Sequence, residues 1–185
     1  NGPASAVSAG LVPFAIGSET WSSIISPSAL CGITGLRPTY GRVSRFGAMA
    51  LCWTLDKLGP MCLTADDCGL VLEAIAGPDM NDPSASHLPF KYNGRINTSK
   101  RKFRLGVIRH VTEHAEEDIK SNFRNTLNDL SEFATIEEVV LPDLPYDAVT
   151  RTIMISEAAS VFDEFTDTGK FTELTASDRY SPYPR

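Results

Sequence analysis

The chain of 185 residues lacks a run of about 18 apolar residues, the length that a membrane-spanning helix requires. It also lacks an excess of basic residues, because 17 lysines and arginines stand against 23 acidic residues and the net charge is −6. An extended cationic surface for a phosphate backbone is therefore not expected. We accordingly expect neither a membrane nor a nucleic acid as a direct partner.

Paired cysteines are also missing. The four cysteines are Cys31, Cys52, Cys62 and Cys68, and no two of them are spaced C-x-x-C or have a histidine nearby in the sequence. This pattern argues against a zinc site, so no metal is expected. Cysteines among apolar or small residues indicate reduced core thiols, which suit a reducing compartment, and we expect a cytoplasmic protein.

Apolar periodicity predicts alternating strands and helices, which is typical of an α/β protein. We expect helices over 4–9, 119–133 and 148–165, and a further helix that begins with a cap at Thr64 and stops at Gly77-Pro78. Strands are predicted over 11–16, 103–108 and 136–141, with an irregular stretch over 17–38 and a loop over 81–99. Residues 1–165 are expected to belong to one domain, and residues 166–185 to a polar, poorly ordered tail.

A serine-rich turn follows the first predicted strand. Five of the eleven residues from Ser18 to Ser28 are serines. A buried strand that ends at Gly17 and becomes polar places hydroxyl and free N–H groups at its carboxyl end. Such a place suits a nucleophile beside an oxyanion hole, although the same composition is also typical of a surface loop.

The turn and its surroundings resemble the amidase signature family. The resemblance is carried by an ordered series of segments: Gly17-Ser18-Glu19-Thr20-Trp21-Ser22-Ser23-Ile24, Pro27, Cys31 to Thr39, Gly41 to Ser44, Thr54 to Pro60, Ala76 to Asp79, and Asp82-Pro83. It implies an α/β fold with a mixed sheet and helices on both faces, of which this chain is an incomplete part. It also implies hydrolysis of a carboxylic amide by a serine nucleophile, a second serine and a lysine, without histidine or cofactor.

By this resemblance Ser23 is the nucleophile, since it precedes Ile24 and stands four residues before Pro27. The backbone N–H groups of Thr20, Trp21, Ser22 and Ser23 would form the oxyanion hole. Asp56 stands at a family-typical position, for which we predict a buried hydrogen-bonding role.

Two positions depart from the family pattern. Glycine usually precedes the nucleophile, as Gly-Gly or Leu-Gly, whereas this chain has Trp21-Ser22. Because glycine adopts backbone conformations that serine avoids, Ser22 could strain the oxyanion hole or fit a milder geometry. Arginine often follows the Ser-Ile pair, whereas this chain has Ile25.

The family's second serine would lie by spacing two residues upstream of Asn1, and its lysine further upstream. The chain therefore resembles an interior fragment, and we expect the 185 residues alone to lack amidase activity.

Three functions remain open at this point. The first is an amidohydrolase that acts on a small amide through an acyl-enzyme, working as a homodimer or with the remainder of the same enzyme. The second is the A subunit of a glutamyl-tRNA amidotransferase, which hydrolyses glutamine and passes ammonia to a partner; Trp21-Ser22 and Ile25 lean away from it. The third is a catalytically inactive module.

Overall fold

The computed structural model describes residues 2–94 and 103–173. In chain order, its elements are α1 (Gly2–Ser8), β1 (Phe14–Glu19), α2 (Ile25–Leu30), β2 (Thr34–Gly35), β3 (Lys57–Cys62), α3 (Ala65–Ile75), β4 (Phe103–Ile108), α4 (Glu117–Leu130), β5 (Ala134–Val139), α5 (Tyr146–Val161) and α6 (Asp163–Asp167), followed by a 3₁₀ turn (Lys170–Glu173). The α/β class is confirmed.

The described residues form two compact units. The first contains residues 2–92 and 146–173, and the second contains residues 93–94 and 103–145. The prediction of one domain over 1–165 stays a prediction. Most of the tail predicted over 166–185 lies outside the described residues, and its first part contains the end of α6 and the 3₁₀ turn.

The first unit is built on an antiparallel sheet with the strand order β1-β3-β2. Its small core joins Ala4 of α1, Met61 of β3 and Ile24, all at most 1% exposed. Gly17 makes room for this packing, because a Cβ there would lie 2.9 Å from the Met61 Cε and 3.2 Å from the Ile24 Cγ1. Burial of Ile24 anchors the turn directly after Ser23.

The N-terminus of α3 confirms the predicted cap. The Thr64 side chain accepts a hydrogen bond from the Asp67 N–H at 3.1 Å, and the helix begins at Ala65. Asp66 and Asp67 place negative charge in the first turn, where the helix dipole favours it. The helix ends at Ile75, two residues before Gly77, as the Gly-Pro pair predicts.

The first strand and the stretch after it differ from the sequence prediction. β1 begins at Phe14 rather than at residue 11, and Leu11 is 77% exposed. The strand continues to Glu19, because the ladder with β3 pairs Glu19 with Lys57. The stretch predicted to be irregular over 17–38 also contains α2 and β2.

In the second unit, β4 and β5 form a parallel pair that α4 connects. The strand predicted over 103–108 is confirmed with the same bounds, whereas β5 begins at Ala134 rather than at residue 136. The register pairs Phe103 with Ala134 and Ile108 with Val139. The helix predicted over 148–165 belongs to the first unit, and it is divided at Phe162 into α5 and α6.

Candidate active site

Pairing of β1 with β3 brings the serine turn beside Asp56, which is 36 residues away from Thr20 in the chain. The Thr20 hydroxyl donates to the Asp56 Oδ1 at 2.6 Å. The Asp56 Oδ2 accepts the N–H groups of Leu51 and Cys52 at 2.8 and 3.0 Å. Asp56 therefore joins the first residue of the turn to the loop before β3. The hydrogen-bonding role predicted for it is confirmed, although the residue is half-buried rather than buried.

Glu19 holds the other end of the same turn. Its side chain is buried, and its Oε2 accepts the N–H groups of Ile24 at 2.8 Å and Ile25 at 3.0 Å. These N–H groups stand at the start of α2, where the helix itself offers them no acceptor. The Glu19 Oε1 lies 3.2 Å from the Arg37 Nη1, which balances the buried charge. The carboxylate thus fixes the path of residues 20–24.

The four residues predicted for the site all lie on this turn, at different depths. Ser22 and Ser23 are exposed, and Thr20 and Trp21 are half-buried. Thr20 and Ser23 line one cavity of about 740 Å³, whose lining includes neither Trp21 nor Ser22.

The backbone of Ser22 does not adopt the left-handed conformation. Among the described non-glycine residues, only His110 has a positive φ, so the φ angle of Ser22 is not positive. Of the two alternatives left open for Ser22, strain from a positive φ is therefore excluded, and the milder geometry remains. Serine fits here because the turn does not require the left-handed conformation that glycine favours.

The cavity beside Ser23 has a mostly apolar wall. Its larger apolar side chains are Phe46, Met49, Leu51, Trp53, Leu58 and Phe162. Trp53 is 47% exposed and stands on this wall. Thr20, Ser23 and Asp56 form a polar group on the same surface. A carbonyl compound with an apolar body would therefore find both a hydroxyl and an apolar surface.

Arg45 braces a polar part of the cavity wall. Its Nη2 donates to the Tyr40 hydroxyl at 3.0 Å and to the Ser84 Oγ at 2.6 Å, and its Nη1 donates to the Trp53 carbonyl. Its Nε lies 3.5 Å from the Asp82 Oδ2. The guanidinium is therefore engaged by protein groups, and we interpret it as a support of the cavity.

Asp82 anchors Arg45 and the Asp-Pro turn. The carboxylate is 6% exposed and accepts the Ser84 hydroxyl at 2.6 Å, the Ser84 N–H at 2.9 Å and the Arg45 N–H at 2.8 Å. Hydrogen bonds from the Ser84 hydroxyl and the Arg45 backbone N–H, together with the charge of the Arg45 guanidinium, lower the pKa of Asp82 from 3.8 to about 2. The folded protein therefore favours the ionised carboxylate.

This shift predicts acid sensitivity. A depressed folded pKa stabilises the fold above the unfolded value, and that contribution of about 2 kcal/mol is lost as the pH falls from about 4 to 2. We expect Asp82→Asn to lower the free energy of unfolding at pH 7 by at least this amount and to flatten its decline below pH 4. Urea unfolding followed by circular dichroism measures both. Asp129→Asn, on the exposed surface of α4, is the control, and an equal decline in the wild type and in Asp82→Asn would contradict the prediction.

Helix α5 contributes contacts that the sequence did not indicate. The Glu157 Oε2 accepts the Cys52 thiol at 2.9 Å and the Thr54 N–H at 3.0 Å, and its Oε1 accepts the Thr54 hydroxyl at 2.7 Å. The Arg151 guanidinium lies 4.8 Å from the centroid of the Trp21 ring. One helix therefore holds both the loop at the cavity wall and the turn that carries Ser23.

Two further contacts were missed in the sequence. The sequence shows that the turn contains an acidic residue, Glu19. It does not show which N–H groups donate to the Glu19 carboxylate, because these depend on the path of the chain into α2. Lys57 donates to the Thr20 carbonyl at 3.1 Å, a contact that depends on the pairing of β1 with β3. No motif signals that pairing.

No helix within residues 2–94 and 103–173 is both long and apolar enough to cross a membrane. In the same ranges, no three His, Cys, Asp or Glu side chains are grouped as a metal site requires.

Comparison with known proteins gives consistent matches. The amidase family model matches residues 1–183. The A subunit of the glutamyl-tRNA(Gln) amidotransferase of Staphylococcus saprophyticus is 40% identical over 162 residues, which cover 86% of this chain. The crystal structure of the corresponding A subunit from Thermotoga maritima matches 93% of this chain with a TM-score of 0.80 and 33% identity. The native peptide amidase of Stenotrophomonas maltophilia matches 91% with a TM-score of 0.75 and 30% identity.

These matches cover only part of the similar proteins. The chain spans about a third of the curated relative from S. saprophyticus, 33% of its length. It covers 41% of the T. maritima chain and 36% of the peptide amidase chain. The solved structures therefore share the fold of the described residues and extend well beyond it.

Proposed function

Because this chain belongs to the amidase signature family, whose model matches residues 1–183, we propose that its protein hydrolyses a carboxylic amide through an acyl-enzyme on Ser23. The observation that supports this most is the place of Ser23, exposed on a turn held at both ends and lining the cavity. Glu19 and Asp56 fix that turn before a substrate arrives. A fixed turn suits catalysis, because donors placed beforehand cost no reorganisation during the reaction.

The proposed chemistry has two steps. The Ser23 Oγ attacks the amide carbonyl and its proton passes to the leaving amine, which departs and leaves an ester on Ser23. Water then hydrolyses the ester and restores the hydroxyl. N–H groups of Thr20, Trp21, Ser22 and Ser23 would bind the oxyanion in both steps. Proton transfer is assigned by the family resemblance to a second serine and a lysine, for which we propose no residue of this chain.

The cavity favours an amide with an apolar body as substrate. Its apolar wall contains Met49, which is 86% exposed, and Trp53. Its charged side chains, Arg45, Asp56 and Asp82, are all bonded to protein groups. A small neutral amide would therefore bind without requiring a free charge from the described wall. We place the reaction in the cytoplasm and propose no cofactor, membrane or nucleic acid as a direct participant.

The second candidate is hydrolysis of the glutamine amide within an amidotransferase. It is favoured by the S. saprophyticus relative, which is 40% identical and is the A subunit of a glutamyl-tRNA(Gln) amidotransferase. A protein partner would then receive the ammonia. Glutaminase activity that requires a co-purifying protein would favour this candidate, whereas turnover of simple amides by the protein alone, as a monomer or homodimer, favours the first.

Labelling of the full-length protein with a fluorophosphonate tests the proposal. We expect one adduct on the peptide that contains Ser23, blocked by prior incubation with a slowly hydrolysed amide. The same preparation is assayed against an aryl amide, a peptide amide and glutamine. A folded protein that takes no label at Ser23 and hydrolyses none of the three would support the inactive module instead.

A further inference from the structure

We propose that Lys57 is a positioning residue that orients the Thr20–Trp21 peptide so that the Trp21 N–H faces the oxyanion. This proposal rests on the proposed function, in which that N–H belongs to the oxyanion hole. The Lys57 Nζ donates to the Thr20 carbonyl oxygen at 3.1 Å. Lys57 is the first residue of β3 and pairs with Glu19, so its side chain starts from a fixed point of the sheet.

The geometry follows from the planar peptide group. In a trans peptide the carbonyl oxygen and the following N–H point in opposite directions. The described chain contains no cis peptide. When Lys57 holds the Thr20 oxygen on one side, the Trp21 N–H must point to the other side. The Thr20 side chain is held separately by Asp56 at 2.6 Å, so the residue cannot rotate freely about its own backbone.

The charges around Lys57 keep its ammonium at this place. Glu19 and Asp56 attract it, while Arg37 repels it, and the Cys52 thiol also lies near. Half-burial of the side chain lowers the pKa of Lys57 below its ordinary value, since partial removal from water disfavours the charge. A partly desolvated ammonium makes a stronger hydrogen bond than one in water. It also polarises the peptide, which makes the Trp21 N–H a better donor to developing negative charge.

The proposal is tested in the full-length enzyme with two variants of Lys57. Lys57→Met keeps the length of the side chain and removes the donor, and Lys57→Gln keeps a neutral N–H donor. We expect Lys57→Met to lower kcat by about 10- to 100-fold while KM changes by less than about 3-fold, because the hole acts in the transition state. Lys57→Gln should lose less: its decrease in log kcat should be at most about two thirds of the decrease in Lys57→Met. Lys91→Met, at an exposed position outside the cavity lining, is the matched control.

Two outcomes would overturn the proposal. One is a folded Lys57→Met variant whose kcat stays within about 2-fold of the wild type. The other is a loss of kcat that runs parallel to a fall in melting temperature and is not recovered by Lys57→Gln, which indicates a purely structural lysine. Fluorophosphonate labelling of Ser23 in the wild type distinguishes a failure of this proposal from a failure of the proposed function. If the wild type is labelled and active, failure of the variants concerns Lys57 alone.

Discussion

Replacing Ser23 with alanine in the full-length enzyme is expected to lower kcat by at least about 10³-fold, since no other atom can carry the acyl group in the proposed mechanism. KM should change little, because the hydroxyl is small and exposed at the cavity. The fold should persist, because the Ser23 side chain makes no buried contact comparable with that of Ile24. Steady-state kinetics with the best amide of the panel measures the loss, and the melting temperature checks the fold.

Two neighbouring serines provide the matched controls. Ser22→Ala keeps the backbone N–H that is proposed for the oxyanion hole, so its loss in kcat should be far smaller than that of Ser23→Ala. Ser26 is exposed on α2, so Ser26→Ala should leave kcat within about 2-fold of the wild type. If Ser22→Ala is the inactive variant and Ser23→Ala stays active, the nucleophile is one residue earlier than proposed.

The largest effect on stability is expected from Glu19→Ala. This change leaves the N–H groups of Ile24 and Ile25 without their acceptor and Arg37 without its counter-charge. A buried N–H group left without an acceptor costs about 1–3 kcal/mol, because it keeps its desolvation penalty. The Arg37 side chain is 52% exposed, so water can replace its lost partner there. The turn should also loosen, so kcat should fall together with the free energy of unfolding. Urea unfolding and kinetics on the same preparation measure both quantities.

Glu19→Gln distinguishes the effect of the hydrogen-bond acceptor on stability from the effect of the negative charge. Its amide oxygen can still accept the N–H groups of α2, so about half of the stability lost in Glu19→Ala should return. Glu132→Gln, at an exposed position before β5, controls for the general loss of one negative charge. A Glu19→Ala variant that loses less than about 1 kcal/mol would contradict the role assigned to this carboxylate.

Local signals in the sequence predicted the elements that depend on local chemistry. The cap of α3 depends on Thr64 and Asp67, which stand three residues apart, and it was predicted correctly. The strand Phe103–Ile108 is bounded by basic and polar residues and was predicted with the same bounds. The assignment of Ser23 as the nucleophile also rests on a local motif, and it stays a prediction. In each case, the residues that determine the feature are neighbours in the chain.

Contacts between residues far apart in the chain could not be predicted from the sequence in the same way. Strand β3 was missed because Gly59 and Pro60 are rare in strands, and proline removes one donor from the ladder. Gly59 fits here for a tertiary reason, because a Cβ would overlap the Leu36 carbonyl oxygen. Pro60 has no donor to offer, but its oxygen still accepts the Leu36 N–H. The roles of Lys57 and Glu157 depend on this missed strand and on a helix about a hundred residues further along the chain.

The contact between Glu157 and Thr54 also bears on how the protein is made. The two residues are separated by 103 positions, and a ribosome that adds 5–20 residues per second needs about 5 to 20 s to reach the second after the first. During that interval the loop that carries Trp53 is synthesised but α5, which later holds it, is not. The apolar side chains next to Trp53 therefore face the solvent. Nascent chains stalled before α5 should therefore recruit chaperones more strongly than chains stalled after it.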